Sequence, residues 1–277
     1  MIKFSHTVFA LPFAFTGAVL AAGGLPTAHQ VFWIVAAMVG ARTAAMGLNR
    51  LIDAEIDAKN PRTSMRAVPA GLLDRGTVAA FIALSLAIFM YAAYMLNDLC
   101  FYLSPVAVAL VLLYSYCKRF TSLSHLVLGL CLAMAPVGAW IAIRGTLEPP
   151  AVILGLAVLF WVAGFDILYA LQDLDFDRSA GLHSIPARLG VAGSLRVARL
   201  FHLTLAVMLL ALYRLLGLGP VYLAGVLLAA TILFHEHRLI RNGNLAKLDA
   251  AFFNMNGYIS LTLFVFTLAD VLLWGVL

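Results

Sequence analysis

A chain of 277 residues that is 64% hydrophobic and only 11% charged has too little polar side-chain surface to cover a water-soluble fold, which excludes an ordinary soluble domain. The formal net charge of +5 would suggest nucleic acid in a soluble protein, but the loop positions of Lys and Arg account for it, and no nucleic-acid partner is expected. Cys100, Cys117 and Cys131 lack metal-ligand spacing, sit in apolar surroundings and read as buried reduced thiols.

Allowing roughly 20 apolar residues per span, the chain predicts an all-α, polytopic transmembrane bundle. Its nine helices fall at about 7–24, 29–52, 77–96, 99–117, 124–143, 151–172, 195–216, 219–236 and 253–275. The alternating ten-residue segments of an outer-membrane barrel are missing. The first apolar run, behind Lys3, is long enough to span and is expected to be a retained helix rather than a signal peptide. Gly23-Gly24-Leu25-Pro26, Pro69-Ala70-Gly71, Gly145 with Pro149-Pro150, and Gly217 to Pro220 mark connections. No linker divides the chain, so residues 1–277 form a single expected domain. With the amino terminus in the cytoplasm, every Lys and Arg except Arg42, Arg144 and Arg214 lies on the inner side, and this asymmetry sets the orientation.

The second helix ends in Asn49-Arg-Leu-Ile-Asp53-Ala-Glu-Ile-Asp57. Asn49, Asp53 and Asp57 recur every four residues, about 40° apart on a continuous helix, with Arg42 one heptad earlier on nearly the same meridian. Ionisable groups at the end of an apolar span are costly and usually functional. The sixth helix repeats the pattern with Asp166, Tyr169, Asp173 and Asp177 on one face, and Asp175 pointing away. Both faces end on the cytoplasmic side and lead into basic, Pro-containing loops, 59–76 and 178–190. This suggests two related four-helix halves with one helix added.

Paired carboxylates facing one another in a low-dielectric bundle repel unless a cation lies between them. Magnesium takes oxygen ligands and is usually held by one or two carboxylates together with substrate phosphates, while the adjoining arginines suit diphosphate oxygens. A metal-bridged diphosphate beside a membrane cavity implies a lipid diphosphate. If that lipid is allylic, its carbon chain leaves as a carbocation.

These residues, with Arg66-Ala-Val-Pro-Ala-Gly71 downstream of the first motif, resemble the two aspartate motifs of UbiA-type intramembrane prenyltransferases across essentially the whole chain. The resemblance implies transfer of a polyprenyl group from polyprenyl diphosphate to an aromatic ring, with Mg2+ held by the two motifs. It assigns Asn49, Asp53, Asp57, Asp173 and Asp177 to the metal and diphosphate shell. Arg62, Arg66 and Lys118 become diphosphate cations, and Arg42, Tyr114, Asp166 and Tyr169 become acceptor-side groups. Asn60-Pro-Arg-Thr63 and Gly181-Leu-His-Ser-Ile-Pro-Ala-Arg-Leu-Gly190 look like the 4-hydroxybenzoate polyprenyltransferases, and in particular like the subgroup serving menaquinone synthesis with a dihydroxynaphthoate acceptor. Hence the expected partners are polyprenyl diphosphate, a hydroxylated aromatic acid and membrane lipid, in quinone synthesis at the cell inner membrane. Arg50 departs from the pattern: many relatives carry Asp there, so an extra metal ligand is missing.

Two other classes are weighed. An ion-coupled transporter would also carry intramembrane carboxylates, but here the acids lie at helix ends beside basic loops. A CDP-alcohol phosphotransferase is a membrane bundle with acidic metal motifs, but its upstream Asp-Gly and Ala-Arg pairs are missing. His235, His237 and Arg238 are expected in an interfacial loop rather than a metal cluster. Phe9, Phe13, Trp161 and Phe165 are expected mainly in the core or against lipid, with some available to stabilise an allylic cation.

Overall fold

The structure, a computed structural model, describes residues 7–240 and 248–275. Nine long helices are present among them: α1 (Thr7–Ala22), α2 (Ala28–Ile52), α4 (Arg75–Leu96), α5 (Asp98–Cys117), α6 (Ser124–Arg144), α7 (Pro149–Ala170), α9 (Ile185–Leu215), α10 (Pro220–Ile240) and α11 (Leu248–Trp274). Two short helices, α3 (Ala54–Lys59) and α8 (Leu174–Ser179), follow α2 and α7. Eight of the long helices are long and apolar enough to cross a membrane, while α1 is a shorter apolar helix. The chain is an integral membrane protein.

The helices associate as two sets. In one, α2 packs on α4 and α5, α4 on α5, and α5 on α6; in the other, α7 packs on α9, α9 on α10, and α10 on α11. The sets join where α6 packs on α7 and where α1 fills the seam between α6 and α11. Helix packing in lipid relies on close backbone approach through small residues, and two glycines provide it. A Cβ on Gly17 would lie 2.4 Å from the Pro136 carbonyl oxygen, and one on Gly129 would lie 2.4 Å from that of Leu159. The core gathers on α7, where Trp161 is fully buried between Phe13 (ring centroids 4.8 Å apart) and Phe165 (5.1 Å).

Three expectations are corrected. Neither motif lies on one continuous helix: α2 ends at Asp53 (φ −90°, ψ 2°) before α3 restarts, and α7 passes through a 3-10 turn (Leu171–Asp173) with Asp173 at φ −100°, ψ 7° before α8. The two breaks thus fall on corresponding aspartates. The expected loop at 178–190 is mostly helical, since α8 runs to Ser179 and α9 starts at Ile185, bending at Gly190 (φ 64°, ψ −174°), a conformation open chiefly to glycine. Finally, His235 and His237 stand on α10 rather than in a loop, and His237 Nε2 meets His202 Nδ1 at 2.9 Å.

Candidate active site

The break after Ile52 frees backbone groups that a helix would have paired. Arg119, just past α5, donates through Nη2 to the Ile52 carbonyl (2.9 Å) and through Nη1 to that of Ser115 (2.7 Å), with its guanidinium over the Tyr116 ring. The same Nη2 lies 3.1 Å from Asp53 Oδ1, and Lys118 Nζ lies 2.6 Å from Oδ2. Asn49 donates to Oδ2 from one turn earlier (3.0 Å). Asp53 is 2% exposed, so these two cations stabilise a charge that would otherwise be costly to bury. Even so, Oδ1 receives no well-aligned hydrogen bond.

Asp57, on α3, is buried and accepts from Arg66 Nη1 at both oxygens (2.8 and 2.7 Å). The loop between α3 and α4 folds back so that Arg62 Nε donates to Asp173 Oδ1 (2.8 Å) and its Nη2 to Oδ2, while Nη1 donates to the Tyr169 hydroxyl (3.1 Å). Asn60 adds a third donor to the Asp173 carboxylate, its second at Oδ1 (3.0 Å). Burial acts to lower the pKa of Arg62, but the hydrogen bonds and charge of Asp173 outweigh it and hold the guanidinium above its ordinary value. Asp177 accepts from Ser184 Oγ (2.8 Å), which also caps α9 by accepting from the Ala187 N–H (3.2 Å). The His183 N–H donates to the Lys118 carbonyl (2.8 Å), tying this loop to the end of α5.

The four motif aspartates, the three expected cations and both helix breaks are thereby brought together. Beneath them lies a cavity of about 590 Å³, walled by α2, α4, α5, α6 and α7. Its lining is mostly apolar, with Cys100, Ser104 and Cys131 and the stronger polar groups of Arg42, Asn49, Arg50, Arg66, Tyr114, Asp166 and Tyr169. Arg42 Nε and Arg50 Nη1 are buried there without a hydrogen-bond partner. Asp53, Asp57, Asp173, Asp177, Arg62 and Lys118 do not line the cavity. Of the aromatic candidates, Phe165 lines it, Phe13 and Trp161 are core, and the side chain of Phe9 lies outside the described residues. As they stand, no three His, Cys, Asp or Glu side chains among the described residues converge closely enough to hold a metal ion.

Sequence reasoning missed His125, buried on α6 with Nδ1 2.6 Å from Asp166 Oδ2, and the role of Arg119. An acid one turn inside an apolar span requires a partner, which was the available signal for His125; its 41-residue separation from Asp166 hid the answer.

The UbiA prenyltransferase family model matches residues 10–258. The chain is 33% identical over 245 residues to the 4-hydroxybenzoate octaprenyltransferase of Vibrio cholerae serotype O1, covering 88% of this chain and 85% of that one. It is 30% identical to the enzyme of the same name from Aliivibrio salmonicida, covering 92% and 88%. Among solved structures, the apo UbiA homolog from Aeropyrum pernix K1 superposes with a TM-score of 0.88 at 32% identity over 98% of this chain and 99% of that one. A UbiA homolog from Archaeoglobus fulgidus bound to DMAPP and Mg2+ shares the fold, with a TM-score of 0.67 at 17% identity over 97% and 98%. Matched along most of its length by the family model and by relatives of one activity, this chain belongs to the UbiA prenyltransferase family and is a prenyltransferase resembling the 4-hydroxybenzoate enzymes.

Proposed function

We propose that the protein transfers a polyprenyl group from polyprenyl diphosphate to a ring carbon of a hydroxylated aromatic acid, 4-hydroxybenzoate or a dihydroxynaphthoate, in quinone biosynthesis. The carrying observation is Arg42. It lines an apolar cavity, seven residues and so about 10 Å deeper along α2 than Asn49, and its Nε is buried without a partner. A guanidinium in such a place calls for an anionic partner. The carboxylate of an aromatic acid supplies one, and holding it presents the ring to the allylic carbon by proximity. Tyr114 and Asp166, on the same wall, complete the acceptor region.

Above it, Arg62, Arg66 and Lys118 are the diphosphate cations. The donor set fits a hard divalent cation: the carboxylates are all oxygen donors, and Asp53 Oδ1 has no aligned hydrogen bond to give up. Asp53, Asp57, Asp173 and Asp177, with Asn49, would hold Mg2+, which when bound neutralises the leaving diphosphate. Arg62 and Arg66, now on Asp173 and Asp57, would turn to phosphate oxygens, and the loop around them excludes water from the allylic cation. The magnesium-bearing homolog of the same fold supports this assignment. The Lys and Arg distribution favours an inner-membrane protein, a single domain with its amino terminus and these loops in the cytoplasm.

The test compares 4-hydroxybenzoate with phenol as acceptor in wild type and Arg42→Ala. Loss of the carboxylate should cost the wild type at least about tenfold in kcat/KM, on the order of one charge-assisted contact, and cost the variant far less. Equal cost in both reassigns Arg42 to structure.

A further inference from the structure

Asp166 is the one carboxylate among the described residues that lines the cavity. It lies on α7 seven residues before the Asp173 break, about 10 Å back along the helix axis. Behind it, His125 is 3% exposed and holds Nδ1 2.6 Å from Asp166 Oδ2. The other ring nitrogen fixes the tautomer. The backbone N–H of Ile185, at the start of α9, points at Nε2 from 3.3 Å, and an N–H can only donate. Nε2 therefore carries the lone pair, and the proton sits on Nδ1, donated to Asp166. Three elements, α6, α7 and α9, meet to hold one carboxylate from behind, and its Oδ1 takes no hydrogen bond from any described residue. Neither the diphosphate cations nor the Arg42 clamp uses this pair.

We propose that Asp166 is the base that removes the ring proton during prenyl transfer, and that His125 is the residue that positions it. The assignment rests on the proposed C-prenylation of an aromatic acid. The allylic C–O bond breaks and its electron pair leaves on the diphosphate. A π pair of the ring forms the new C–C bond to the allylic carbon. The C–H bond at that ring carbon then breaks, its pair restores the aromatic ring, and the proton goes to Asp166 Oδ1. The remaining candidates are worse placed. Asp53, Asp57 and Asp173 are each held by a cation, Asp177 is bonded to Ser184 away from the cavity, and Tyr114 and Tyr169 are phenols, which donate at neutral pH. His125 cannot take the proton instead, because the Ile185 N–H covers its lone pair. Its neutral N–H orients the carboxylate and leaves the charge on Asp166.

The test uses the full chain in liposomes with magnesium, a polyprenyl diphosphate, and 4-hydroxybenzoate either protiated or deuterated at the ring carbon to be substituted. Asp166→Asn should lower kcat by about 10²-fold or more, the usual worth of a positioned base. It should also show a primary isotope effect larger than that of the wild type, because C–H cleavage has become slow. His125→Ala should move both quantities the same way by less, and His125→Asn, whose amide N–H reaches the place of Nδ1–H, should restore most of the rate. A merely structural role would lower the rate without raising the isotope effect. An unchanged isotope effect in Asp166→Asn, or a wild-type rate, overturns the proposal. If Asp166→Asn fails to bind the lipid diphosphate and so is not folded, an unchanged isotope effect in His125→Ala does the same. A wild-type enzyme that forms no C-prenylated acid would instead overturn the proposed function, a result independent of the variants.

Discussion

Asp53 stands at the first helix break and Asp177 four residues past the second, and their surroundings predict different consequences of removal. Asp177 is bonded to one serine, so Asp177→Ala should abolish prenyl transfer while thermal unfolding in detergent stays within a few degrees of wild type. Asp53→Ala strips the partner from both Lys118 and Arg119 and leaves those cations half-buried, which typically costs about 3 to 5 kcal/mol for a buried pair. A lowered melting temperature should therefore accompany its loss of activity, whereas Asp53→Asn should keep the fold and still lose activity. Wild-type turnover in either Asp177→Ala or Asp53→Asn would sink the metal-shell assignment. The identity of these residues was legible because the four-residue spacing survives even where the helix does not. Their partners were not: Arg62 lies 111 residues from Asp173, and local periodicity carries no information about pairings at that range.

The helix breaks were also hidden, for a related reason. Neither Asp53 nor Asp173 adjoins a glycine or proline, the usual punctuation. The break at Asp53 is stabilised from outside α2, by Arg119 on the freed carbonyl and Lys118 on the side chain. The apolar spans, by contrast, could be read directly, because lipid demands long uninterrupted runs with internally paired backbones. The loop from Asn60 to Asp74 follows from this arrangement. Arg62 and Arg66 anchor it to Asp173 and Asp57, while Met65 between them is 83% exposed, so it is tethered by two ion pairs over the site. Limited proteolysis in this loop should slow when a polyprenyl diphosphate and magnesium are added together, as the arginines gain phosphate partners. Unchanged cleavage would mark the loop as static.

Across the whole molecule, the acids and bases of the two halves meet at one end of the bundle, above a cavity enclosed mostly by the first half and α7. The positive loops and the long hydrophobic helices were both evident in composition. What composition could not convey is that the aspartates and the arginines already neutralise each other, Arg62 with Asp173 across the two halves and Arg66 with Asp57 within the first.

That mutual neutralisation makes the site a coupled equilibrium. A cation arriving alone must compete with guanidinium groups for the carboxylates, and a diphosphate arriving alone must draw those guanidiniums away and leave two carboxylates bare. Arriving together, each ligand relieves the penalty of the other. Since linkage is reciprocal, diphosphate should tighten magnesium binding by the same factor by which magnesium tightens diphosphate binding, on the order of 5- to 150-fold for a coupling of this kind. Calorimetric titration of each ligand with and without the other measures both factors. Arg66→Ala, which removes one competitor for Asp57, should raise the affinity for magnesium alone while shrinking the coupling. Independent binding of the two ligands, or sustained turnover in excess chelator, would contradict it.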